Sequence, residues 1–367
     1  MNIKRIGTVA AIAIAGAVVL SSCAANEDAG STTSSSSSTD SDMSSLKGTL
    51  TGSGSSAQQT AEAVWASGFQ DKASGVTVNY SPDGSGAGRK NFVSGAADFA
   101  GSDAALNDED LAGSFGLCKA KAIDIPVYIS PIAIAFKVDG VKDLTLDAKT
   151  IAGIFSGKIT KWNAPEIAAH NDGAKLPDAA ITVIHRSDDS GTTQNFSEYL
   201  SANAGDVWTE APSQTFPYKV GDGAAKGSGV ASAMQGATNA ITYIDDSGVG
   251  SLDKAELMVG DKATELSADG AAKVVADSQV VSGREANDLA IDIDRKDTAE
   301  NAWPLVLVSY AIACQEYKDA DKAALVKGYL SYVVSDDAQK AAASEAKSAA
   351  LSTDLGKKAA AAVASIK

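Results

Sequence analysis

Short apolar runs alternate with amphipathic stretches from Lys47 onward, and this alternation predicts an α/β fold with mainly parallel sheets. Two further observations fit that class. The chain has 367 residues, 44% of them hydrophobic, enough for two domains or one large one. Several predicted strands also run through a Gly- and Ser-rich turn into a predicted helix.

In chain order, 48–52 reads as a strand, 56–70 as a helix, and 77–80 and 98–101 as strands. Residues 123–138 form a long apolar run broken at Pro126 and Pro131. Then come a strand at 180–185, a helix at 190–201 and strands at 240–244 and 305–313. Two helices, 321–334 and 336–350, close the chain. No internal repeat is visible. The Pro-punctuated runs at Pro126–Pro131 and Trp303-Pro304 suggest two crossings between domains. One domain is then 47–128 plus 307–367 and the other 129–306.

The first residues belong to no domain. Lys4 and Arg5 precede an apolar run, 6–20, of signal-peptide length and short for a membrane span. It ends in Leu20-Ser21-Ser22-Cys23, which resembles a lipobox. Cleavage there removes residues 1–22 and leaves a lipid-modified Cys23 as N-terminus; the plainer alternative is an ordinary signal peptide. The stretch 23–46 is rich in Ser and poor in apolar surface, so it reads as a disordered tether. A lipid, a tether and a folded body describe a receptor held at a membrane surface. Export also brings an oxidising compartment, so Cys118 and Cys314 are either a disulfide or two buried thiols, with the bridge favoured.

Formal net charge is −15, from 31 Lys and Arg against 46 Asp and Glu. That balance argues against nucleic acid as a partner, because a phosphate backbone needs clustered positive charge. His170 and His185 are the two histidines, and neither has metal-ligand spacing with another His or Cys.

Three segments share one design of strand, Gly/Ser turn and helix. They are Thr51-Gly52-Ser53-Gly54-Ser55-Ser56, Asp83-Gly84-Ser85-Gly86-Ala87-Gly88 and Arg186-Ser187-Asp188-Asp189-Ser190-Gly191-Thr192. A helix N-terminus presents unpaired N–H groups and a partial positive charge. Glycine lets a bound group approach the backbone, and hydroxyls add donors. This is the chemistry of an oxyanion site that needs no metal. Singly, each segment is an ordinary cap or turn; three together, one with an arginine, point to a ligand.

These segments, with Trp65, Val78-Asn79-Tyr80, Ala97-Asp98-Phe99-Ala100-Gly101-Ser102-Asp103 and Ala302-Trp303-Pro304, occur in the order seen in one family. The chain resembles the phosphate-binding lipoprotein of bacterial phosphate ABC importers. The resemblance implies a two-lobed, type II periplasmic-binding-protein-like fold, with the ligand cleft between lobes joined by two hinge crossings. It implies a monomeric receptor, not an enzyme, that needs no cofactor and delivers inorganic phosphate to membrane permease subunits. It also implies that Ser56, Ala57, Ser85, Asp103, Arg186, Ser190, Gly191 and Thr192 contact the anion, with Asp188 orienting Arg186.

Two departures stand out. Ser56-Ala57-Gln58 replaces the usual Thr-Phe-Pro, which is expected to loosen the cleft wall. Asp189 replaces a usual glycine, and its charge is expected to weaken anion binding. The alternatives are a receptor for another tetrahedral oxyanion such as sulfate, or a phosphatase. The latter needs an activated nucleophile and usually metals.

Overall fold

The computed structural model describes residues 43–367. The leader, Cys23 and the Ser-rich run lie outside the described residues. The tether read as 23–46 ends sooner than its composition suggests. Met43 is buried, and Leu46 packs against the core, because both side chains find apolar partners there.

The sheet is built from β1 (Gly48–Gly54), β2 (Val76–Ser81), β3 (Phe99–Ser102), β4 (Ala122–Lys137), β5 (Thr182–Arg186), β6 (Asp222–Ala224), β7 (Ala240–Asp245) and β8 (Val306–Cys314). Its order is β2-β1-β3-β8-β4-β7-β5-β6, with a short strand, Asp253–Lys254, added on β4. The expectation of mainly parallel pairing holds only at the flanks. There β1 runs parallel to β2 and β3, and β5 runs parallel to β6 and β7. The centre is antiparallel, where β8 lies between β3 and β4 and β7 pairs with β4.

The run expected to break at two prolines is one continuous strand. Proline lacks the N–H that a central ladder needs. Each of these prolines sits where that loss is tolerated. The β4–β8 register shifts between Ser309 and Tyr310, beside Pro126. Pro131 is the last β4 residue paired with β8, and from Ile132 onward β4 pairs with β7. One strand thus serves both flanks of the sheet.

Three helices start from the ends of parallel strands: α1 (Gln59–Lys72) after β1, α2 (Ser85–Ser94) after β2 and α3 (Gly191–Ala204) after β5. A fourth, α4 (Lys226–Gly236), follows β6, and α5 (Ala320–Val333), α6 (Asp336–Ala346) and α7 (Thr353–Ala364) follow β8. Ser190, Asp319, Ser335 and Ser352 cap α3, α5, α6 and α7 through side-chain oxygens. The core is closed by Trp65, Trp162, Trp208 and Trp303, all essentially buried. At Gly54 (φ +150°) an added Cβ would lie 1.9 Å from the Gly101 carbonyl oxygen, so only glycine lets β1 close on β3 there.

One segment of the second predicted domain contacts a residue assigned to the first. Residues 284–291 pack on the first flank. Arg284 Nη1 lies 2.9 Å from Asp124 Oδ2 and 3.2 Å from Asp288 Oδ2, and Leu289 N–H donates to the Asp124 carbonyl. Asp124 is fully buried in β4, and a buried carboxylate needs such a partner.

Cys118 and Cys314 form a disulfide, Cα–Cα 5.2 Å, joining the segment before β4 to the end of β8. Closing a loop of 196 residues stabilises by up to about 5 kcal/mol in the chain-entropy account. Reduction should therefore lower the melting temperature. Thiol labelling of unreduced, denatured protein should leave both cysteines unmodified; labelling of both would refute the bridge.

Candidate anion-binding site

The N-termini of α1, α2 and α3 converge on one point. Gly191, first residue of α3, packs against the opposite flank so closely that an added Cβ would lie 2.6 Å from Ser85 Oγ and 2.7 Å from Asp103 Cβ. Gly86 N–H donates to the Asp189 carbonyl (3.1 Å), and Gly227 N–H donates to Ser56 Oγ (3.1 Å). Asn195 of α3 donates to the Asp103 carbonyl at 2.7 Å. The two flanks are shut against each other.

Asp103 follows β3 and is 4% exposed. Its Oδ1 accepts from the Ser55 hydroxyl and, at 2.6 Å, from the Ser309 hydroxyl. Its Oδ2 accepts from Thr192 Oγ1 at 3.2 Å, across the cleft. Its own N–H donates to Ser85 Oγ at 3.1 Å, which leaves the Ser85 hydrogen free to donate. Burial pushes the Asp103 carboxyl up, against the Ser309 and Ser55 hydroxyls, Arg186 and Thr192, which favour the ionised form.

Arg186 ends β5 and is 4% exposed. Nε and Nη2 form a fork on Asp188, at 2.7 Å and 2.6 Å, as the sequence reading anticipated. Burial alone raises the Asp188 carboxyl, but Arg186 and the Lys226 N–H outweigh it and hold it below the usual carboxylate range. Arg186 Nη1 has no hydrogen-bond partner among the described residues, and Tyr243 Oη fixes the backbone by accepting from Arg186 N–H at 3.2 Å.

The backbone donors divide in the same way. Ala57 N–H is taken by Ser55 Oγ (3.1 Å), and Ser190 N–H by the Gln214 carbonyl (3.0 Å). Ser190 Oγ caps Thr193 N–H (3.1 Å), which leaves its hydrogen to donate. The N–H groups of Ser56, Ser85, Gly191 and Thr192 have no acceptor among the described residues. Ser85 and Thr192 are buried, and unpaired buried N–H groups are rare. Four N–H groups and a guanidinium N–H without acceptors among the described residues make a donor shell of the kind that suits a compact anion.

A cavity of about 160 Å³ opens beside Ser56, Ala57, Arg186 and Thr192, with Tyr243 and Asp245 also in its wall. Ser85, Asp103, Ser190 and Gly191 do not line it and join the group through the contacts above. Ser55, Gln58, Asn195, Tyr243 and Ser309 were not singled out from sequence. Ser309 left a signal, as a polar side chain inside a nine-residue strand that is otherwise apolar and wholly buried. Among the described residues, no group of three or more His, Cys, Asp or Glu is placed to hold a metal ion. His185 stacks on Phe216 at 4.0 Å, a packing role.

Asp189 does not face the donor shell. Its carboxylate bonds Lys90 Nζ at 2.9 Å and Thr215 Oγ1 at 3.1 Å, and Lys90 holds it below the usual carboxylate range. Lys90 lies on α2, so the pair spans the cleft, as does Lys226–Asp83 at 2.9 Å.

This fold is the one seen in phosphate-binding proteins of known structure. Residues 10–337 match the family model of the PBP superfamily domain. The chain is 34% identical to the phosphate-binding protein PstS3 of Mycobacterium bovis BCG over 338 residues, 90% of each chain. It is likewise 34% identical to PstS 2 of Mycobacterium tuberculosis, over 90% of each chain. Among solved structures, the periplasmic phosphate-binding protein PfluDING, bound with phosphate, superposes with TM-score 0.68 at 20% identity, covering 84% of this chain and 92% of that one. The phosphate-binding protein of Stenotrophomonas maltophilia gives TM-score 0.67 at 20% identity, covering 86% and 93%. The chain belongs to the PBP superfamily and, within it, to the family of the mycobacterial PstS proteins.

Because Asp189 holds α2 across the cleft, Asp189→Gly should weaken anion binding slightly, by roughly 0.2–1 kcal/mol, the scale of an exposed ion pair. The loss should shrink in high salt. Calorimetry with inorganic phosphate checks this. Tighter binding in the variant would bear out the expectation that Asp189 opposes the ligand.

Proposed function

We propose that this protein captures inorganic phosphate outside the cytoplasm and delivers it to the permease of an ABC importer. The observation that carries the reading is the pairing of opposite functions in one closed site. Four N–H groups and Arg186 supply donors, while Asp103 supplies an acceptor. A bare anion has no use for the acceptor. Phosphate keeps at least one hydrogen near neutral pH, so it can satisfy both. The PstS names of the relatives and the phosphate-bound neighbour support the same ligand, and a transport receptor of this family is not an enzyme. Ser56, Ser85, Asp103, Arg186, Ser190, Gly191 and Thr192 are the proposed contacts. Ala57 contributes through the loop it shapes, since its N–H is already engaged.

Capture involves a hinge. The proposed lobes are 47–128 with 307–367, and 129–306, pivoting where β4 changes partner and near Trp303-Pro304. Residues 284–291 ride with the first lobe. A ligand that bridges both lobes favours the closed form by its differential contacts. Closure of this kind has periplasmic binding proteins as its standing example. The protein works as a monomer tethered through lipidated Cys23 at the extracytoplasmic face of the cell membrane; no helix among the described residues is long and apolar enough to span a membrane.

The test is direct. Protein purified without denaturation should release about one equivalent of phosphate on denaturation. After stripping it should rebind phosphate in calorimetry and leave a chromogenic phosphate ester unhydrolysed. Cys23→Ala should move the protein from the membrane to the soluble fraction. Failure to release or rebind phosphate would overturn the reading, and unchanged membrane association would overturn the anchor.

A further inference from the structure

Gln58 lies beside the proposed contacts and is 0% exposed. Its Nε2 donates to Ser309 Oγ at 2.6 Å and to the Tyr310 carbonyl at 3.1 Å. A carbonyl only accepts, so this end of the amide must be the nitrogen. The other end, Oε1, is buried without a partner among the described residues. The side chain thus leaves an acceptor unpaired while it holds Ser309, which a passive filler would not do. The backbone of the same turn acts on the second serine. Ala57 N–H and Gln58 N–H approach Ser55 Oγ at 3.1 Å and 3.4 Å.

A hydroxyl has one hydrogen and two lone pairs. N–H groups occupy lone pairs on both Ser55 and Ser309, so both hydroxyl hydrogens are left for Asp103 Oδ1. With two committed donors, Oδ1 is held as an acceptor, and both hydroxyl bonds favour the ionised carboxylate over one protonated at Oδ2. Proline at position 58 would supply neither the amide nor the N–H. Opposite Ser309 and Tyr310 the register shifts by one residue, with Val127 of β4 as the extra residue, so the bulge lies beside this point.

We propose that Gln58 and Ser309 are specificity-determining positioning residues, whose relay holds Asp103 as an obligate acceptor. The ligand then meets Oδ2, and the site admits an oxyanion that carries hydrogen and rejects one that does not. This inference rests on the phosphate-receptor reading and deepens it.

The charged and titratable groups around Asp103 act as follows. Arg186, across the cleft, favours its ionised form. Asp245, Tyr80 and Tyr128 feel the Asp103 charge, though burial is the larger influence on each. Burial already pushes Asp103 up. Loss of a relay donor removes an opposing force, so protonation should begin at higher pH. Protonated Asp103 can donate to sulfate.

The experiment is competition of sulfate against labelled phosphate from ~pH 5 to ~pH 8, above the ordinary Asp value of about 3.9. Wild type, Ser309→Ala, Ser309→Thr and Gln58→Met are compared, each first shown to be folded by its thermal melt. Because all four share Asp245, its titration cancels in the comparison. Wild type should keep its preference for phosphate throughout. Ser309→Ala and Gln58→Met should lose about tenfold or more of it at the acid end, while Ser309→Thr, which keeps the hydroxyl, should retain it. If both losses are absent, or Thr fails as Ala does, the relay is not a selectivity element and the phosphate reading stands. If wild type binds no phosphate, the reading fails and the inference with it.

Discussion

A buried carboxylate, Asp103, organises this site. Three hydroxyls reach it from three separate segments: Ser55 from the β1–α1 turn, Thr192 from α3 and Ser309 from β8. Its backbone is held as well, by Ser85 Oγ on one side and Asn195 Nδ2 on the other. Burying a charge is costly unless it is hydrogen-bonded, so the carboxylate demands that these segments meet. The local exceptions in the fold serve that meeting. Gly54 lets β1 close on β3, Gly191 lets α3 approach Ser85 and Asp103, and a bulge at Val127 of β4 lies opposite Ser309 and Tyr310.

An acidic protein that takes an anion is no contradiction once the range of each force is considered. The net charge of −15 is spread over a surface where exposed charges are screened within about 8 Å at physiological salt. The donor shell acts at contact distance, through N–H groups at helix ends whose partial charge is confined to the first turn. Negative groups close to the shell are each engaged. Asp188 is gripped by Arg186 and Asp189 by Lys90. Asp245, in the cavity wall, accepts from Ser247 and Tyr128, and Asp103 is the acceptor proposed to face the ligand, so the net acidity does not decide binding.

Much of the site was legible because it is local. The Gly/Ser turns, the Arg186–Asp188 fork and the strand-to-helix order are carried by neighbouring residues, and short-range rules read them. The parts that escaped are non-local. Ser309 lies 206 positions from Asp103, and Lys90 lies 99 from Asp189. Nothing near Asp189 in sequence discloses the lysine that neutralises it. The prolines of β4 were misread for the same reason, since the exchange of partners at Pro131 depends on β7 and β8. Met43 and Leu46 were assigned to the tether because composition was averaged over a Ser-rich run, whereas two apolar side chains suffice to dock it.

The central claim is that Asp103 selects its ligand by accepting a hydrogen bond. Asp103→Asn keeps the shape of the side chain and adds a donor, so it tests that claim without removing the contact. Phosphate and sulfate affinities of wild type and variant, measured side by side by calorimetry near neutral pH, decide it. The expected result is rejection of sulfate by wild type on the order of 10⁴-fold, as for sites built around one essential hydrogen bond, and a much smaller ratio in the variant. A variant that rejects sulfate as strongly as wild type would contradict the account.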